Sequence, residues 1–372
     1  MKQLGSFTLI LLIALSTGAQ TPSRKRAPAK AAPAASAVPQ PRYKAIWEPV
    51  PFTKDIDLNA ITCMGAETCW VAGDNSTILY TADGGKNWQI QLGGDPEARE
   101  EDLVKIFFLD NRNGWAMTDR ARLFHTSDGS TWSELGKLSG TSKGVWFVSA
   151  QSGFEVENPD STTQTTLQHS QDGGKSWKAV DRCTVNTSID GLPRKLECRM
   201  GVAQFLSPAI GFMGGGAAIN MATEVAAFAK TADGGQTWTT SVIPDTKWPI
   251  TAVHFWSEKD GFVVLKDGKA LWTADGGGSW TGTANAPQWL SHYGGAQGQI
   301  VGVHEDGSLI AYSFNGGRNF TSRPFKTPAR VQAVTFFDRQ HGYLVGEHGM
   351  VYRYRIVPAD YSAPGMIAAL AP

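Results

Sequence analysis

The chain has 372 residues, among them 41 glycines and 13 tryptophans, and only 18% are charged. That many large rings excludes a disordered protein, and that much glycine, against an average of about 7%, excludes a helical one. Thirty-four basic residues balance 34 acidic ones, which excludes nucleic acid as a main partner.

The charge is unevenly spread. Residues 1–44 carry seven basic side chains and no acid, leaving 27 basic against 34 acidic residues, a net of −7, in the remainder. Lys2, an apolar run from Phe7 to Leu15 and the small residues Thr17, Gly18 and Ala19 have the layout of a secretory signal peptide cut after Ala19. The run is too short to span a bilayer. No cysteine follows the cut to take a lipid anchor, and no later stretch is apolar enough for a membrane helix, so no stable membrane insertion is expected. Residues 20–44, rich in Ala, Pro and basic side chains and without apolar periodicity, read as a disordered linker. The expected product is exported, periplasmic or secreted.

Residues 45–358 are organised by a repeat, with 359–372 left as a tail. The first copy runs Thr81-Ala-Asp83-Gly-Gly-Lys-Asn-Trp88, and the others centre on Asp128 with Trp132, Asp172 with Trp177, Asp233 with Trp238, Asp275 with Trp280, and Asn315 with Phe320. The second copy is one residue short and the sixth substitutes Asn and Phe. Successive Asp or Asn positions lie 45, 44, 61, 42 and 40 residues apart. A period near 40 marks a solenoid or a propeller. Upstream of each copy the chain alternates in short strands. In the fifth unit these are Ile250 to Trp256, Gly261 to Leu265 and Ala270 to Thr273, and a fourth begins at Trp280. Four short antiparallel strands per repeat make a propeller blade. A seventh unit, Val331 to Val357, has three strands and no Asp motif. The lone strand Ala45-Ile46-Trp47-Glu48 is expected to supply its fourth and so close an all-β, seven-bladed ring.

The repeated motif reads as a clasp rather than a site. Asp and Ser/Thr side chains bond nearby backbone N–H groups, Gly-Gly supplies positive φ, and Trp packs back on the blade. Cys63, Cys69, Cys183 and Cys198 form two sequence-local pairs suited to an oxidising compartment. Nearest-neighbour pairing joins Cys63 to Cys69 and Cys183 to Cys198. Sequence does not fix connectivity, and four buried thiols are the alternative.

The motif Ser/Thr-x-Asp-x-Gly-x-x-Trp is the Asp-box, or BNR repeat, shared by sialidases and sortilin-type receptors. With its spacing, its Gly-aromatic second strand and seven units, residues 45–357 most resemble the photosystem II assembly and stability factor family. The resemblance implies a non-catalytic scaffold on the luminal or periplasmic side that helps assemble or stabilise a membrane protein complex.

In a propeller the loops between strands 2 and 3 and the links between blades share one face, opposite the Asp-boxes. Four insertions fall there: Pro96 to Asp102, Glu155 to Gln164, Asp181 to Cys198 and Gly214 to Glu224. Long loops on a rigid scaffold are where binding concentrates. The expected partner-binding residues are Arg99, Glu101, Glu155, Glu157, Arg182, Arg194, Lys195 and Glu224. Trp248 and Trp289 are candidate aromatic anchors or, equally, core residues. The alternative is a carbohydrate-active enzyme, sialidase-like or another glycoside hydrolase, which needs paired carboxylates. Glu101, Glu155, Glu157 and Glu224 could supply them, yet no spacing singles out a pair. No Arg-Ile-Pro segment, phosphate loop or Gly-x-Ser-x-Gly turn occurs, the seven histidines are scattered, and no cofactor or metal is implied.

Overall fold

The computed structural model describes residues 43–139, 142–157, 166–189, 191–220, 223–287, 290–359 and 367–368. The expected signal peptide, almost all of the linker and most of the tail lie outside them. Among the described residues there is no helix, and seven antiparallel sheets follow one another in chain order. The expected seven-bladed propeller is borne out.

Blade one is built from Leu58–Cys63, Cys69–Gly73, Thr77–Thr81 and Gln89–Leu92, and blade two from Leu103–Phe108, Gly114–Thr118, Arg122–Thr126 and Ser133–Lys137. Blade three contains Ser142–Phe147, Gly153–Glu157, Thr166–Ser170 and Lys178–Arg182. Blades five and six begin at Ile250–Phe255 and His292–Ala296. Register shifts recur in one strand of six blades, for example between Leu58 and Ala60, between Leu103 and Lys105 and, in blade four, between Met200 and Val202. An extra residue at that point bends and twists the strand.

The glycine-aromatic beat of the sequence has a packing cause. At Gly261, which opens the second strand of blade five, an added Cβ would stand 2.4 Å from the Phe255 ring on the first strand of the same blade. Phe255 in turn stacks on Phe212 of blade four, with centroids 3.7 Å apart. Trp70 on Phe108 and Trp115 on Phe147 repeat the arrangement at 3.8 and 3.9 Å. The residue after each such glycine, or after Cys69 in blade one, thus reaches the next blade. The core is accordingly a ring of interblade clusters rather than one central mass. Each aromatic pair adds roughly 0.5–1.5 kcal/mol beyond its buried area.

The ring closes as expected. Tyr43–Pro49 pairs antiparallel with Val351–Pro358, from Tyr43 opposite Pro358 to Pro49 opposite Tyr352, and completes blade seven beside Val331–Phe336 and Gly342–Gly346. Trp47 is fully buried and donates its indole N–H to the Tyr312 hydroxyl of blade six at 2.9 Å. Ile367–Ala368 adds a fifth strand on the free side of Tyr43–Pro49.

Candidate functional site

The Asp-box turns are clasps in geometry as well as in sequence. In blade one the Gly85 N–H donates to Thr81 Oγ1 at 2.9 Å, the Asn87 N–H donates to Asp83 Oδ1 at 2.9 Å, and Thr81 Oγ1 donates to the same carboxylate oxygen. Gly84 and Gly85 have φ of 73° and 85°. The same contacts recur around Asp172, Asp233 and Asp275. Hydrogen bonds donated by Asn87 and by the Thr237 side chain hold the carboxyls of Asp83 and Asp233 down at about 2. Each carboxylate is therefore occupied within its own turn.

The opposite face is less regular, and blade four dominates it. The segment expected as a loop from Asp181 to Cys198 is instead a β-hairpin, Thr184–Ile189 against the start of a 14-residue strand, Leu192–Phe205. Val185 and Leu196 of the hairpin are buried, and Gly191, with φ of 77°, lies in the turn between its strands. The stretch Gly214 to Glu224 is likewise strand, in Gly211–Asn220 and Thr223–Thr231. Side chains at Gly214 and Gly215 would meet the Ile250 side chain at 2.5 Å and the Arg199 carbonyl at 1.9 Å, so the glycine run makes room for blade five on one side and the neighbouring strand on the other. The blade becomes a five-stranded sheet that curls back on itself, with Thr240 Oγ1 donating to the Thr184 carbonyl at 2.8 Å. Cys183 is bonded to Cys198 at the base of the hairpin, and Cys63 to Cys69 in blade one, as paired from the sequence.

The expected binding residues differ in their surroundings. Arg99, Arg194 and Lys195 are exposed, and Trp248 is 45% exposed in a link held by Thr246, whose Oγ1 accepts the Ala226 N–H at 2.9 Å. Glu224 is half-buried and ion-paired with Arg199, beside Gly216 and Pro249. Glu101 and Glu157 are engaged locally: Thr118 donates to Glu101 Oε2 at 2.7 Å, and Gln168 to Glu157 Oε2 at 2.6 Å. Glu155 corrects the expectation of a loop carboxylate. It lies in the strand Gly153–Glu157, is 1% exposed and accepts the Ser139 N–H at 3.1 Å. Burial pushes its carboxyl up to about 7. The side chain of Arg182 and all of Trp289 lie outside the described residues.

Sequence reasoning missed Leu192, the most exposed large apolar side chain among the described residues at 58%, and Ile219 at 37%. The signal was present in Asp190-Gly191 between β-branched and aliphatic residues. The hairpin therefore carries Leu192, Arg194 and Lys195 away from the ring. Trp248, Ile219 and the Arg199–Glu224 pair lie nearer its base. The hairpin thus places exposed apolar and charged groups side by side on a cross-linked support.

Known proteins share this architecture. A family profile described as photosynthesis system II assembly factor YCF48 matches residues 40–197. The chloroplastic photosystem II stability/assembly factor HCF136 of Arabidopsis thaliana is 22% identical over 315 residues, covering 77% of this chain and 72% of that protein. The solved structure of YCF48 bound to D1 peptide has a TM-score of 0.60 at 18% identity, over 86% of this chain and 98% of that one. YCF48 from Cyanidioschyzon merolae gives 0.59 at 17%, over 83% and 98%. A virginiamycin B lyase from Staphylococcus aureus, an enzyme, gives 0.58 at 11%, over 85% and 100%, a likeness of fold alone.

Proposed function

Because the chain is a photosystem II assembly factor-like β-propeller, we propose that it is a non-catalytic scaffold of the cell envelope that captures a protein through the loop-rich face of blades one to four. The observation that carries this reading is the blade-four hairpin. Its base is cross-linked by Cys183–Cys198, and it presents Leu192, Arg194 and Lys195 with little left to order on binding. A relative solved with D1 peptide supports a polypeptide partner. The relative named a photosystem II stability/assembly factor supports a subunit of a membrane protein complex. The charged and apolar order of residues 2–19, together with two disulfides, supports export to an oxidising compartment. Within this reading Arg99, Arg182, Arg194, Lys195, Glu224, Trp248 and Trp289 form the contact set. Glu101, Glu155 and Glu157 support the frame behind it.

The test is affinity capture from native envelope extract, crosslinked and read by mass spectrometry. A variant carrying Arg182→Ala, Arg194→Ala and Trp248→Ala runs beside one carrying Lys175→Ala on the Asp-box face. A discrete membrane-complex partner lost only in the triple variant is the expected result. Retention in the triple variant with loss in Lys175→Ala overturns the choice of face, and turnover in a glycoside screen without any protein partner overturns the scaffold reading.

A further inference from the structure

Blade seven is the one blade without an Asp-box turn, and this leaves an opening at the seam. In blades one to five the first residue of the second strand pairs with the Ser or Thr of the box, as Gly261 does with Thr273. In blade seven Gly342 pairs instead with Tyr354, and the chain runs on through Arg355 beside the N-terminal strand. Between this strand and the Gly65–Thr68 turn of blade one lies a cavity of about 570 Å³, lined by Lys86, Arg353 and Arg355 together with Glu67 and His341.

The cations of this cavity are fixed but far from saturated. Arg353 Nη2 and Arg355 Nη1 both donate to Glu48 Oε2 at 3.0 Å, and Arg353 Nη1 donates to the Gly84 carbonyl at 3.2 Å. A guanidinium carries five N–H donors, so these three bonds and the Arg353 bond to Tyr343 still leave most of the two forks unused. Arg353 Nε is buried without a partner. Lys86 is exposed and forms no ion pair among the described residues. His341 is already bonded to Asp338 through Nδ1 at 2.8 Å. Of the side chains that line the cavity, Lys86, Arg353 and Arg355 outnumber Glu67, with Glu48 and Asp338 bonded behind the arginines and His341.

We propose that this seam cavity binds a carboxylate-bearing ligand. Arg355, held by Glu48 at one nitrogen, offers its remaining fork to the two carboxylate oxygens, and Lys86 supplies a point charge across the opening. Glu67 at the rim disfavours a dianion such as phosphate. The volume leaves room for the body of an organic acid against Gly65, Ala66 and Thr68. The carboxylate can come from a small free acid or from the end of a peptide chain. The site is on the Asp-box face and does not depend on partner capture by blade four.

The test is a ligand-observed NMR titration of the full chain at low ionic strength, with four probes. These are N-acetylalanine, N-acetylalaninamide, an N-acetylated hexapeptide with a free C-terminus, and inorganic phosphate. Saturable binding of the acids but not the amide is expected, at least tenfold weaker in the Lys86→Ala, Arg355→Ala double variant with its melting temperature unchanged. Arg355→Lys, which keeps the charge and loses the fork, should fall between. Tighter binding of the hexapeptide than of N-acetylalanine assigns a chain end, and equal binding assigns a small acid. Equal binding of acid and amide, tighter binding of phosphate, or a double variant that binds as the parent does overturns the proposal.

Discussion

The Asp-box turns and the blade-four extension use polar side chains in opposite ways. In a box each Ser or Thr hydroxyl and each Asp carboxylate is spent on backbone N–H groups within four residues. On the extension, Arg194 and Lys195 face solvent and the Arg199–Glu224 pair is only half-buried. Polar groups closed on themselves hold a blade together and have little left to offer a partner. Groups held out on a cross-linked hairpin stabilise little and remain available. Repetition of a motif is therefore a guide to the frame, and departure from it is a guide to recognition.

This contrast can be broken at several points. The largest effect belongs to the frame: Trp115→Ala removes the ring stacked on Phe147 and should cost about 3–5 kcal/mol in denaturant unfolding, with any residual folded protein still binding its partner. Next comes Glu155. Its carboxyl is raised above 4.5 to about 7, so the stability it contributes is complete below pH 4.5 and is lost as the pH rises through 7. Glu155→Gln should flatten the stability profile between pH 5 and pH 8, with a gain at pH 8 of up to about 3 kcal/mol at 1.36 kcal/mol per unit. A parent protein whose melting temperature does not fall across that range would contradict the assignment.

Within a clasp, Thr231→Val keeps the shape but leaves the buried Gly235 N–H without its acceptor, 2.8 Å away in the parent. A loss of about 1–3 kcal/mol is expected from thermal unfolding, again without effect on binding. The smallest stability effect should come from Leu192→Ser at the hairpin tip, within about 0.5 kcal/mol as for other exposed positions, together with the clearest loss of partner capture. If Leu192→Ser captured normally while Thr231→Val did not, the division between frame and recognition would be reversed.

Most of the frame was legible because its signals are local and repeated. The Asp-boxes set the blade period, and the bare strand around Trp47 beside a seventh unit short of one strand announced the closure. Blade four was hidden for a physical reason. Its extra residues add a fifth strand and lengthen existing ones without adding a new periodic unit, so they look like insertions unless Asp190-Gly191 is read as a turn. Glu155 was misplaced because it was counted with the residues that follow it. Aligned by strand, Gly153-Phe154-Glu155 matches Gly114-Trp115-Ala116, and Ala116 belongs to the packing between blades one and two. Residue type suggested solvent where a second strand covered on both faces dictated burial. The seam cavity had no sequence signal at all, since Arg353, Lys86 and Glu48 meet only through closure of the ring.

That closure also orders events in time. Tyr43 pairs with Pro358, so the first described strand must wait during synthesis for a strand made some 300 residues later. Until then Ala45 and Trp47 have no buried place to go, and blade seven keeps an open hydrogen-bonding edge. Any cut that removes residues 351–358 therefore undoes both ends of the chain at once, and a chain halted before them holds six blades and two unpaired margins.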